Sequence, residues 1–148
     1  MHRFATVIAA GGCVALLAAG CGSSGDKGLS KAEFLKQGNA VCAKGNAEIN
    51  AAGKKLGSAR PSRAVLVKFA TDTIIPNVEQ QINGVAALKP PKADKSTVDA
   101  LVASARQALA KIKANPALAI TSGSQDPFAA SNKQANAYGL TKCGGSNS

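Results

Sequence analysis

Apolar residues recur at helical spacing along the chain, and no segment shows the alternation of apolar and polar residues that is typical of a strand. The first periodic segment begins at Ser30 and Glu33, which are spaced as a capping box whose side chains bond free backbone N–H groups of the first turn. The apolar residues that follow repeat every seven positions, at Leu35, Cys42, Ile49 and Leu56, and Phe34 and Val41 widen this stripe. This spacing predicts a first helix with one buried face.

Three glycines inside this first helix have two interpretations. Gly38, Gly45 and Gly53 each weaken a helix by up to ~1 kcal/mol relative to alanine. Because glycine has no side chain, they also permit a neighbouring helix to approach closely.

A second helix is predicted from Pro61 to Leu88. Proline suits the first turn of a helix, and the apolar residues after Pro61 keep helical spacing. Pro76 lies inside this segment. Since proline lacks an N–H and its ring meets the preceding turn, we expect a kink or a short break there.

Two further helices follow. One extends from about Lys95 to Lys113, and the connection after it contains one turn at 116–120. The last begins after Asp126, which we expect to cap it, and ends at Gly139, a residue type that commonly terminates helices. Short connections favour antiparallel neighbours, so the predicted fold is all-α, an up-and-down bundle of about four helices.

Residues 1–20 have the three parts of an export signal: a short basic region with Arg3, an uncharged apolar stretch, and small residues that lead to Cys21. The segment Leu17-Ala18-Ala19-Gly20-Cys21 resembles the lipobox of bacterial lipoproteins, in which the cysteine is lipidated and becomes the new N-terminus. The resemblance implies a protein held by an acyl chain such as palmitate on the extracytoplasmic face of the cell membrane.

This interpretation divides the chain into a lipoprotein signal peptide at 1–20, the lipidated cysteine and a flexible tether at 21–29, and a helical bundle domain at 30–148.

Alternatives to the lipoprotein interpretation stay open. Leu17 stands one place further from Cys21 than is usual, and Gly12-Cys13 is a rival site with a shorter apolar run before it. The apolar run is short of the ~20 residues that span a bilayer, which argues against a transmembrane helix. A secreted protein with Cys21 left free is a further alternative.

Removal of residues 1–20 leaves 128 residues with 17 basic and 8 acidic side chains and no His, Met or Trp. Besides Cys21, this chain keeps Cys42 and Cys143, which are expected to form one disulfide in an oxidising compartment. A redox-active pair is more often a close C-x-x-C. In an up-and-down bundle the fourth helix descends alongside the first and brings Cys143 near the level of Cys42.

The whole arrangement is similar to a loosely defined group of small exported, lipoprotein-like helical proteins of high-GC Gram-positive bacteria, mostly uncharacterised. The similarity covers most of the chain after the signal peptide. It rests on Glu33-Phe34, Cys42, Leu88-Lys89-Pro90-Pro91, Asp126-Pro127-Phe128, Tyr138-Gly139-Leu140 and Cys143-Gly144. The resemblance implies a helical fold and brings no activity or catalytic residue with it.

The composition disfavours catalysis. Without histidine there is no Ser-His or Cys-His nucleophile and no imidazole base. Without His, Met or a free thiol, copper, haem and conventional zinc sites are not expected. Asp72 and Glu79 remain as a carboxylate pair for a hydrolase, although solvation on a helix surface explains them better. We therefore expect no enzyme, no cofactor and no metal.

The excess of positive charge indicates an anionic partner. Six basic residues are expected at the end of the bundle far from the tether: Lys54, Lys55, Arg60, Arg63, Lys111 and Lys113. They are candidates for binding an anionic envelope component or a partner protein, although lysines at helix C-termini also complement the helix dipole. A second group at the tethered end would face anionic lipid headgroups: Lys27, Lys31, Lys36, Lys89, Lys92 and Lys95. Export argues against nucleic acid as a partner.

The function expected from the sequence is that of a membrane-anchored extracytoplasmic lipoprotein that serves as a non-enzymatic binding or interaction module. The alternative is a carrier of an apolar or lipid ligand between helices, for which Pro76 and the helix glycines would leave space.

Overall fold

The computed structural model describes residues 28–57, 59–121 and 125–145, and within them the chain is helical with no strand. The expected signal peptide at 1–20, the lipidation site Cys21, and the tether as far as Lys27 lie outside the described residues. Among the described residues, no helix combines the length and the apolar character needed to cross a bilayer.

Four helices make up the bundle. Helix α1 is Lys31–Lys54, and α2 consists of three consecutive segments, Arg63–Phe69, a π-helical turn at Ala70–Ile74, and Ile75–Ala87. Helix α3 is Lys95–Ala114, and α4 is Ala129–Tyr138. Short 3₁₀ helices at Lys92–Asp94 and Pro116–Ile120 belong to the connections. The predicted all-α class is confirmed.

Successive helices are antiparallel, as predicted. Gly45 of α1 lies against Gln81 of α2, while Val41 lies against Gly84, so α2 descends as α1 rises. Helix α2 packs on α3 through its Ile75–Ala87 segment, and α3 packs on α4. The Arg63–Phe69 segment of α2 packs instead on the 3₁₀ helix that follows α3.

The start of α1 is the predicted capping box. The Ser30 hydroxyl oxygen accepts the Glu33 N–H at 3.3 Å, and a Glu33 carboxylate oxygen accepts the Ser30 N–H at 3.0 Å. Hydrogen bonds from the Ser30 hydroxyl and backbone hold the pKa of Glu33 below its usual value. Helix α2 is capped by Ser62, whose hydroxyl oxygen accepts the Val65 N–H. Pro61 therefore precedes the cap and does not occupy the first turn, which differs from the prediction.

Pro76 does not break α2. The chain inserts the π-helical turn directly before this proline, and the Ile75 N–H bonds the Ala70 carbonyl five residues back. In an uninterrupted α-helix, the proline ring at 76 would collide with the carbonyl of Asp72. The wider turn accommodates the ring, so the helix continues to Ala87.

The buried face of α1 agrees with the predicted stripe only in part. Phe34 and Cys42 are buried as predicted, and Gly38 and Gly45 are buried with them. The other residues of the stripe are half-buried: Leu35, Val41, Ile49 and Leu56. A methyl group added at Gly38 would lie 2.6 Å from Leu140, and one added at Gly45 would lie 2.4 Å from Gln81. Two of the three glycines thus permit close approach, although the segment that meets Gly38 is the tail and not a helix.

Cys42 and Cys143 form the expected disulfide. The route of the chain to this bond differs from the expectation. Helix α4 ends at Gly139, whose φ of 107° is left-handed, and the Leu140 N–H bonds the Ala135 carbonyl in a Schellman arrangement. The tail then turns back along α1 until it reaches Cys42.

Asn39 and Asn46 hold this returning tail. The Asn39 side chain donates to the Gly139 carbonyl at 3.0 Å and accepts the Lys142 N–H at 2.8 Å. The Asn46 side chain donates to the Lys142 carbonyl at 2.8 Å. Leu140 between them is fully buried. The tail is therefore a packed part of the bundle.

Candidate functional site

A cavity of about 230 Å³ lies between the helices and the returning tail. Helix α2 lines it with Val78, Ile82 and Val85, which share one face because they are three and four residues apart. Helix α3 contributes Leu101, Val102 and Ala105. These six side chains make the floor of the cavity apolar.

The remaining wall comes from the last part of the chain. Phe128, Ala135, Leu140 and the disulfide partner Cys143 face the cavity. The disulfide thus joins two lining residues and fixes the tail over the apolar floor.

The small residues of α4 explain why this space is not filled. The buried residues of this helix are Ser131 and Ala135 alone, whereas α3 buries six residues, including Leu101 and Leu109. Two such small side chains cannot occupy the groove between α2 and α3. The alanine and serine content of α4 is the sequence signal for the cavity, and helical periodicity alone does not reveal it.

The rim of the cavity is polar. Asn46, Gln81, Asp126 and Asn132 lie there, together with the buried Ser131. Asp126 accepts the Phe128 N–H at 2.8 Å on one carboxylate oxygen and thereby closes the turn that leads into α4. The predicted helix cap at Asp126 is wrong, because α4 begins at Ala129 with Phe128 as its N-cap and no side-chain cap. Asp126 belongs to the turn before the helix and also lines the cavity.

Four of the six predicted anion-binding residues flank the connection between α1 and α2: Lys54, Lys55, Arg60 and Arg63. Lys111 and Lys113 lie in the last turn of α3, and the 3₁₀ helix that follows α3 packs on the Arg63–Phe69 segment of α2. The Lys113 ammonium binds the Glu79 carboxylate at 2.6 Å. Lys113 is therefore already paired within the bundle.

Asp72 and Glu79 line the same shallow, open groove on α2. Their side chains are 52% and 44% exposed, and each is paired with a lysine, Asp72 with Lys68 and Glu79 with Lys113. Both carboxylates are therefore half-exposed and ion-paired on the surface of α2.

The end of the bundle at which residue 28 enters is rich in lysine. The Leu29 N–H bonds the Lys89 carbonyl at 2.9 Å, which joins the start of α1 to the α2–α3 connection. The lysines of this end that the structure describes are Lys31, Lys36, Lys89, Lys92 and Lys95.

Tyr138 lies at the same end and donates its hydroxyl to Asp94 at 2.8 Å. The Lys31 ammonium lies 4.5 Å from the centre of its ring and 3.6 Å from the Asp94 carboxylate. The pKa of Tyr138 is raised to about 12, mainly by burial of the hydroxyl and further by the hydrogen bond to the Asp94 carboxylate and the negative charge of that carboxylate.

No group of three His, Cys, Asp or Glu side chains suited to a metal ion occurs in the part of the chain that the structure describes. Comparison with protein-family models, with curated proteins and with solved structures finds no match. The cavity and its polar rim are therefore the basis for a functional assignment.

Proposed function

We propose that this protein is an extracytoplasmic, lipid-anchored binding module, and that it holds a small apolar ligand in the cavity between its helices. The observation that supports binding is the cavity itself, which has an apolar floor, a polar rim and a wall fixed by a disulfide. Ligand sites in proteins commonly combine these features. The module is non-enzymatic in this proposal.

The volume of the cavity limits the size of the ligand. A cavity of ~150 Å³ is enough to bind benzene, and drug-sized ligands need roughly 300 Å³ or more. At about 230 Å³, the site suits a single ring or a short alkyl segment. At ~30 Å³ for each water-sized atom, this corresponds to about eight non-hydrogen atoms.

Anchoring by lipid rests on the sequence of residues 17–21 and on the position of residue 28. The chain enters the described bundle at its lysine-rich end, where Lys31, Lys36 and Lys89 would face anionic headgroups. A basic residue near such a surface contributes about 1 kcal/mol. This arrangement supports an orientation with that end toward the membrane.

Binding is tested by filling the cavity. In Ala105→Leu the added side chain enters the space on the α3 side, and we expect loss of binding of 1-hexanol, measured by amide chemical-shift titration. Ala103→Leu is the matched control, because Ala103 lies two residues away on the exposed face of α3. Wild-type protein that shows no shift at cavity residues, or an Ala105→Leu variant that binds hexanol as wild type does, contradicts the proposal.

Anchoring is tested separately in the producing cell. Metabolic labelling with a palmitate analogue should tag the wild-type protein, and Cys21→Ala should lose the tag. An untagged wild-type protein would leave the cavity proposal standing and remove the anchor.

A further inference from the structure

Three partly exposed side chains that line the cavity, Asn46, Gln81 and Asp126, have an oxygen that is not used in a hydrogen bond within the described residues. Asn46 uses its amide nitrogen on the Lys142 carbonyl, and Gln81 uses its amide nitrogen on the Asn77 side chain. Among the described residues, no donor bonds the side-chain carbonyl oxygens of Asn46 and Gln81 or the second carboxylate oxygen of Asp126. Asn132 offers both a donor and an acceptor.

The orientation of these amides follows from their partners. Glu48 is a carboxylate and can only accept, so the Asn77 nitrogen must face it, at 2.9 Å. The Asn77 oxygen is then left for Gln81, whose nitrogen donates to it at 2.8 Å. For Asn46, the partner is a backbone carbonyl, which again requires the amide nitrogen. The oxygen of each amide is the atom that stays available.

The charge at the mouth has the opposite sign to that of the protein. The chain has 18 basic and 8 acidic residues. Among the described residues that line the cavity, Asp126 alone is charged, and no lysine or arginine is present. An apolar site with one carboxylate at its rim attracts a cationic ligand and repels an anionic one. Because the surroundings are partly apolar, these interactions are stronger than those between charges that are fully exposed to water.

We infer that the cavity selects an amphiphile with a short apolar part and a primary ammonium as its polar end, and that Asp126 binds this ammonium. The apolar part occupies the floor formed by α2 and α3. Asp126 accepts the ammonium in a charge-assisted hydrogen bond, and Gln81 and Asn46, which line the same cavity, offer further acceptor oxygens. This inference rests on the proposed function, since it assigns the ligand class of the same cavity.

Three probes of equal chain length test the selectivity: hexylamine, 1-hexanol and hexanoate. We expect the amine to bind at least about tenfold more tightly than the alcohol, since a charge-assisted hydrogen bond replaces a neutral one. Hexanoate should bind more weakly than the alcohol. Affinities come from amide chemical-shift titration of the oxidised protein at neutral pH.

Asp126→Asn separates charge from structure. Asparagine can still accept the Phe128 N–H, so the turn before α4 is kept. The variant should bind hexylamine no better than hexanol, with hexanol affinity unchanged. Asp99→Asn is the control, because Asp99 is exposed, pairs with Lys95 and does not line the cavity. This control should keep the preference for the amine.

The outcomes distinguish the two proposals. If no probe binds, the proposed function fails and this inference with it. If hexanol binds and the amine has no advantage, the cavity stands and the ammonium selectivity is overturned. If the preference for the amine persists in Asp126→Asn, the assignment to Asp126 is wrong.

Discussion

Reduction of the Cys42–Cys143 disulfide should cost this protein a large share of its stability. The bond joins residues separated by 101 positions, so in the unfolded chain it closes a loop over most of the described domain. In the chain-entropy account, a loop of this length stabilises the folded state by about 4 to 5 kcal/mol. Domains of this size are stable by about 5 to 15 kcal/mol. The reduced protein should therefore be marginal or unfolded at elevated temperature.

Urea unfolding followed by far-ultraviolet circular dichroism measures this loss with and without a phosphine reductant. Because the reduced unfolded chain exposes more surface, the dependence of the unfolding free energy on urea should also become steeper. Reduction is a cleaner perturbation than substitution, since Cys42 is buried and an alanine there would leave a void.

Asn39→Ala provides the control for loss of tail contacts without loss of the covalent loop. It removes two hydrogen bonds to the tail and should cost about 1 to 3 kcal/mol with the urea dependence unchanged. If reduction costs less than about 1 kcal/mol and leaves the urea dependence unchanged, the bond does not act by restricting the unfolded chain. The reasoning from loop length is then refuted.

Two further predictions concern packing and the tyrosine. Gly38→Ala should lower the free energy of unfolding by about 1 to 2 kcal/mol, because the new methyl group meets the fully buried Leu140. Gly53→Ala should raise it by up to about 1 kcal/mol, because the nearest atom to the new methyl group is 3.8 Å away. Thermal unfolding measures both changes, and changes of the same sign contradict the packing described for Gly38. Tyr138 is the only tyrosine of the chain, so its absorbance titration should have a midpoint near pH 12 and move toward 10.0 in Asp94→Asn. Because the pKa of Tyr138 is raised in the folded state, the stability that its protonated hydroxyl contributes is complete below pH 10 and is lost as the pH rises toward 12. A wild-type midpoint equal to that of the unfolded chain disproves the contact between Tyr138 and Asp94.

The ion pairs of the structure also indicate which of the predicted basic residues are available to an anionic partner. Lys113 is occupied by Glu79, whereas no ion pair is formed by Lys54, Lys55 or Arg63 within the described residues. Binding of an anionic envelope component, if it occurs, should therefore depend on the α1–α2 connection. The wider cluster of six stays a prediction.

Two helix ends were determined by the sequence itself, the start of α1 and the end of α4. Ser30 and Glu33 start α1, and Gly139 ends α4, as predicted. Capping depends on side chains and backbone groups that are three to five residues apart, so its physics is local and can be recognised in a linear pattern. The Cys42–Cys143 bond was predicted from the cysteine count together with the predicted export of the chain.

The tertiary structure alone decided that Gly38 and Gly45 are buried in α1, and where the cavity lies. Gly38 is buried because Leu140, about a hundred residues later, lies against it, and Gly45 because Gln81 does. The periodic stripe at Leu35 and Ile49 could not reveal this, since a helix has no preferred partner until the other segments pack on it. The cavity likewise results from small residues of α4 that face a groove between two other helices. Local patterns determine where helices begin and end, whereas burial and empty space depend on segments that are distant in sequence.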